Sequence, residues 1–143
     1  MNMDHPKNDM NYTEYAIEWM KTHETPLPPD HQMALESIPS YLNKKLGEQN
    51  LSTAQLFEAA NTERSTGYKI MNGQLLPSRD SLLRVAFALG LDVNEVQYLL
   101  KVGRRARLTP RDSRDAVILH CIIKHTPLLE ANLVLFEAGE EPL

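Results

Sequence analysis

Residues 63–73, Glu-Arg-Ser-Thr-Gly-Tyr-Lys-Ile-Met-Asn-Gly, set a guanidinium at Arg64 and an ammonium at Lys69 on what reads as one short helix stopped by Gly73. Between them Gly67 costs a helix about 1 kcal/mol relative to alanine, so something nearby must compensate. The two cations either meet a polyanionic surface or form the solvated side of a helix that only packs. A second cationic run, from Lys101 to Arg114, offers a similar choice. It tracks phosphates, or its charges pair locally with Asp112 and Asp115.

No catalytic or metal-binding constellation accompanies these cations. His120 and His125 are five residues apart, about 140° round a helix, and so do not share a face as ligands would. Cys121 lies in the apolar run 116–123 and is the only cysteine, which leaves neither a disulfide framework nor a cysteine-based metal site. His5, His23 and His31 fall in weakly patterned segments. The serines lack patterned His and Asp partners, and there is no glycine-rich phosphate loop. The expectation is a protein that is not an enzyme and uses no cofactor and no metal.

Charge is unevenly distributed. The net charge of −4 argues against a polyanionic partner, because such binding is driven by phosphate neutralisation. Yet residues 64–124 hold eleven basic and five acidic side chains, a net of +6, and the remainder carries −10. A basic middle inside an acidic shell is compatible with nucleic acid. The hydrophobic fraction of 42% suffices for a real core. No stretch approaches the roughly 18 apolar residues of a membrane span, and the N-terminus lacks a signal-peptide core. A soluble, cytoplasmic protein is expected.

The elements that must position these residues read as helices throughout, an all-α chain. Residues 11–21 place Tyr15, Ala16, Trp19 and Met20 on one face, with Thr13 as the cap, and residues 25–29, Thr-Pro-Leu-Pro-Pro, make a stiff linker. Met33, Leu35 and Ile38 offer a short turn before Pro39, which suits the first turn of a helix carrying Tyr41, Leu42 and Leu46. Ser52 and Gln55 form a capping box that starts a helix at Thr53. Asn61 ends it in a left-handed turn, so that two helices meet across a tight reversal. A helix starting at Ser78, after a proline, aligns Leu82, Leu83, Ala86 and Leu89 and closes at Gly90. The next is boxed by Asp92 and Glu95, turns Val93, Val96, Leu99 and Leu100 inward and ends at Gly103. Two further helices open with Thr-Pro, at 109–110 and 126–127, and pair as a hairpin. Both are apolar on more than one face, so they need cover from the N-terminal helix or from a second subunit.

From Tyr41 to Gly103 the chain resembles the Cro/repressor (XRE-type) helix-turn-helix domain. The resemblance is carried by Leu51-Ser52, Leu56, Arg64-Ser65-Thr66, Ile70, Asn72-Gly73, Pro77-Ser78, Leu82-Leu83 and the run Ala86–Leu91. The flanks are similar to a bacterial subgroup with a C-terminal helical pair. The chain departs from the pattern at Phe57, where the family has a small residue, at Asn61, where it has glycine, and at Gly67, where it has Ile or Val. Glu63 replaces a small capping residue. Since the family pattern places positions 57 and 67 opposite each other, the bulk of Phe57 is expected to fill the space that Gly67 vacates.

The resemblance implies a lambda-repressor-like five-helix domain over residues 36–103, an N-terminal helical extension over 1–35, and a C-terminal hairpin with an acidic tail over 104–143. It implies a transcriptional regulator that binds double-stranded DNA, as a homodimer, with its second motif helix in the major groove. Carried over position by position, base readout falls to Arg64, Ser65, Tyr68 and Lys69, with Arg64 suited to the O6 and N7 of guanine. Phosphate contacts fall to Thr53, Gln55, Gln74 and Arg79. The alternative is a helical protein-interaction module that keeps the fold without specific DNA binding and uses its acidic periphery or the apolar C-terminal hairpin to meet a protein partner.

Overall fold

The computed structural model describes residues 9–24 and 36–143. Among the described residues there are eight helices and no strand: α1 (Asp9–Thr22), α2 (Ile38–Gln49), α3 (Thr53–Ala59), α4 (Arg64–Met71), α5 (Arg79–Leu89), α6 (Val93–Val102), α7 (Ser113–Ile123) and α8 (Leu128–Glu137). Residues up to Glu36 and residues from Ser37 onward form two separate units. In the first, α1 begins at Asp9, so Thr13 lies inside the helix instead of capping it. The 25–29 linker and the turn expected at Met33 and Leu35 lie outside the described residues.

In the second unit most helices start behind a short polar side chain in extended backbone. Ser37, Ser52, Ser78, Asp92 and Asp112 each accept a backbone N–H three residues on, which satisfies a donor that the first turn leaves without a partner. Ser52 with Gln55 and Asp92 with Glu95 are complete capping boxes. The two Thr-Pro starts differ from expectation. The Thr109 N–H is drawn to the Asp115 carboxylate at 3.0 Å, which keeps Thr109 and Pro110 in the loop and leaves the cap of α7 to Asp112. At α8 the cap is Pro127 itself, with no side-chain bond.

Helix ends follow the left-handed rule at Asn50, Asn61 and Gly90, with φ of 55°, 52° and 65°. Gly103 does not. Its φ is −80°, and the left-handed residue is its neighbour Arg104 at 58°. A Cβ at 103 would run into the Cδ1 of Leu82, so a larger residue there needs that side chain to shift. One core runs through all of α2–α8, with Leu42, Leu56, Ile70, Leu99, Ile118 and Leu135 fully buried in it.

Residues 113–143 rebuild the architecture of residues 78–108 at a spacing of 35, as from Ser78 to Ser113. Each copy is a helical hairpin followed by an extended tail. Left-handed residues recur at Gly90 and His125 and again at Arg104 and Gly139. Arg79 donates to the tail carbonyls of Ala106 and Arg107 at 2.9 and 3.0 Å. Arg114 donates to those of Glu141 and Pro142 at 2.8 and 3.3 Å. The Gln97 amide exchanges two hydrogen bonds with the backbone of Leu108, both 2.9 Å, and Asn132 does the same with Leu143 at 3.0 and 2.7 Å.

The copies are also tied to each other. Arg79 pairs with Asp115 and Arg114 with Asp80, while α5 packs on α8 and α6 on α7. Exchanging the two copies leaves every one of these relations unchanged, so the second unit contains an internal pseudo-two-fold clasp. The residues beyond Gly139 are a fixed part of that clasp.

Candidate nucleic-acid interface

The local sequence that builds this surface is the α3–α4 pair. Asn61 adopts the left-handed conformation, its N–H meets the Glu58 carbonyl at 3.1 Å, and the Thr62 N–H reaches back to the Phe57 carbonyl at 2.8 Å. These bonds satisfy the last carbonyls of α3 and reverse the chain. Leu56, Phe57 and Ala60 are buried on one side, Gly67 and Ile70 on the other.

Gly67 is the seat of an aromatic ring. A Cβ at that position would stand 2.5 Å from both Cγ and Cδ2 of Phe57, far inside the roughly 3.5–4.0 Å at which carbon atoms attract. Phe57 is only 1% exposed, so its burial offsets the helix propensity lost at Gly67. The expected exchange of bulk between positions 57 and 67 is what the packing contains.

With Gly67 and Ile70 turned inward, the opposite side of α4 presents Arg64, Ser65, Tyr68 and Lys69, all exposed. Their spacing of i, i+1, i+4 and i+5 puts them on one face. Neither Arg64 nor Lys69 has a hydrogen-bond or ion-pair partner among the described residues. Glu63 caps α4 through its backbone only, its carbonyl accepting the Gly67 N–H at 2.9 Å. Glu58 lines a shallow cleft with Ala54, Thr62 and Arg64, so a carboxylate borders the cationic face without pairing to it.

The expected phosphate contacts divide. Thr53 and Gln55 lie at the start of α3, where the Gln55 carbonyl oxygen accepts the Ser52 N–H and its NH2 group takes no part in the box. Gln74 is exposed beyond Gly73, and its N–H shares the Lys69 carbonyl with that of Leu75, at 2.9 and 3.2 Å. Arg79 does not belong with them. Its guanidinium holds both oxygens of Asp115 at 2.9 and 2.8 Å and two tail carbonyls, which occupies four of its five N–H donors inside the molecule.

Asp115 explains that capture. It is 4% exposed, and a carboxylate there is costly unless paired and hydrogen-bonded. Burial, the largest single influence, pushes its pKa up. The hydrogen bonds from Arg79 and from the Thr109 N–H, with the charges of Arg79 and Arg114, outweigh it and hold the group below the ordinary carboxylate range. The hydrogen bond to Asp115 in turn raises Arg79, against the opposing effect of burial.

The run from Lys101 to Arg114 is mostly structural where its contacts are defined. Arg105 donates to the Pro77 carbonyl at 3.1 Å, Arg114 grips Asp80 at 3.0 and 3.1 Å, and the Asp112 carboxylate is the cap of α7. Arg104 and Arg111 remain exposed. The local pairing expected for Asp115 is not what holds it: its ion-pair partner is Arg79, from outside the run. The signal for the clasp was the tripeptide Ser-Arg-Asp, present at both 78–80 and 113–115.

Among the described residues no cluster of His, Cys, Asp or Glu is arranged to hold a metal ion, and no helix is long and apolar enough to cross a membrane. Comparison of the chain with protein-family models, with curated proteins and with solved structures finds no match.

Proposed function

We propose that α2–α6 form a Cro/repressor-type helix-turn-helix domain and that the protein is a cytoplasmic transcriptional regulator of double-stranded DNA. It places α4 in the major groove and acts as a homodimer on two half-sites. One observation supports this reading: the outer face of α4 offers Arg64, Ser65, Tyr68 and Lys69 together, with both cations free of partners among the described residues, on a helix seated by Phe57 against Gly67. A rigid helix presenting an unpaired guanidinium is suited to the two acceptors of a guanine edge. Lys69 and the Tyr68 hydroxyl serve neighbouring base edges or phosphate. Thr53, Gln55 and Gln74 hold the backbone on either side, and Arg79 is withdrawn from that set.

Fluorescence anisotropy with pooled random duplexes at two salt concentrations tests the reading. Salt-sensitive binding from which a preferred sequence is selected is the expected result. No binding at low salt would overturn it and leave a protein-interaction role for the same fold.

A further inference from the structure

The internal duplication exposes a mismatch. In the first copy, the outer side of α6 is covered by α2: the Tyr41 and Tyr98 rings lie 5.5 Å apart, and Lys45 forms an ion pair with Glu95. The equivalent positions in the second copy are Leu133 for Tyr98 and Glu130 for Glu95. Nothing in the second unit plays the part of α2 there. Leu133 is 57% exposed, and Val134 is 39% exposed where its counterpart Leu99 is fully buried.

This side has not been made polar to suit its exposure. Leu129 stands where the first copy has Asn94, and Phe136 where it has Lys101. They are 83% and 71% exposed. On a helix of 100° per residue, Leu129, Leu133 and Phe136 form one stripe directed away from the buried Ala131 and Leu135, and Glu130 and Glu137 line the same border of it. By contrast, α7 carries His120 and Lys124 where α5 has the buried Val85 and Leu89. Ile123 at the end of α7 is also exposed, at 57%, but the three-residue apolar stripe belongs to α8.

We infer that α8 is the docking surface for a basic amphipathic helix of a partner protein, seated as α2 is seated on α6. The chemistry is set by the internal precedent: an apolar side chain, Tyr41 in α2, followed one turn later by a cation, Lys45, for the glutamate at the border. A second copy of this chain fits less well. α8 contains no basic residue, and its antiparallel pairing with itself would set the two glutamate borders against each other.

The test uses the full chain and two labelled synthetic helices of identical apolar stripe, one of leucine and lysine, the other of leucine and glutamate. Anisotropy is expected to show binding of the lysine peptide alone, with amide shifts clustered on α8. Leu133→Glu with Phe136→Glu, both at exposed positions, should weaken it by about tenfold or more with the melting temperature unchanged. Glu130→Lys with Glu137→Lys should reverse the preference between the peptides. Equal binding of both peptides, or unchanged binding by the Leu133 and Phe136 variant, overturns the inference. So does sedimentation showing a dimer that Phe136→Glu dissociates, which would make the occupant a second copy.

Discussion

Two arginine-bearing surfaces of this molecule, the outer face of α4 and the clasp between α5 and α7, contain the same chemistry put to opposite uses. On α4, Arg64 is exposed and has no partner among the described residues. In the clasp, Arg79 and Arg114 each grip the carboxylate of the other copy and the tail carbonyls of their own. The difference lies in what surrounds the cation. A guanidinium beside a carboxylate that folding buries is claimed by it, because leaving that charge unpaired is costly. One beside an unclaimed solvent face stays available. Positive charge counted along the sequence therefore overstates the interface.

The contrast is broken most severely at Asp115. Asp115→Asn removes the charge partner of a partly buried guanidinium and should lower unfolding free energy by about 3 kcal/mol in urea titrations, without touching the α4 face. Next comes the seat of α4. Gly67→Val drives methyl groups into the Phe57 ring and should cost about 2 kcal/mol by thermal melting, whereas Phe57→Ala in the same chain should recover part of that loss. Strict additivity of the two changes would remove the exchange of bulk.

Arg64→Ala should invert the pattern of Asp115→Asn. Its stability should stay within about 0.5 kcal/mol of the parent, while discrimination at one base pair falls by about 2 kcal/mol in competition binding. Full selectivity in that variant would refute Arg64 as the reader. Arg114→Ala should cost about 1 kcal/mol, less than Asp115→Asn, because its partner Asp80 is 38% exposed and solvent screens the pair.

The smallest effect is on pH dependence. Glu95 is held low first by the hydrogen bond from Lys45, and Asp115 is held low by the clasp. A carboxylate depressed on folding contributes stability that is complete above its unfolded pKa, about 4, and is lost as pH falls through the lower folded value. Urea midpoints should therefore be flat from pH 7 to 5 and decline below about 4. The Asp115→Asn chain should show a shallower decline.

How far the sequence reveals this depends on the range of each interaction. Capping boxes at 52–55 and 92–95, the left-handed Asn61 and the stripe of α5 are local, and each is legible from spacing alone. The pairing of Phe57 with Gly67 was legible because two departures from one pattern coincide. The Thr-Pro start at 109–110 misled because a carboxylate several residues on, Asp115, draws the Thr109 N–H and moves the cap. Arg79 misled for the same reason at longer range: no local pattern tells a guanidinium that its partner lies across the fold. The repetition is hard to see in the sequence because only Ser78, Arg79, Asp80, Glu95, Leu100 and Leu108 are identical at the matching positions.

The exchanged arginines also set how the molecule comes apart. Because Arg79 ties its own tail to the opposite helix, and Arg114 does the reverse, neither hairpin can peel away without releasing the other's anchorage. Amide protons of α5 and α7 should consequently exchange through one shared opening event, and a denaturant that loosens residues near 140 should be felt at residue 80 in the same step.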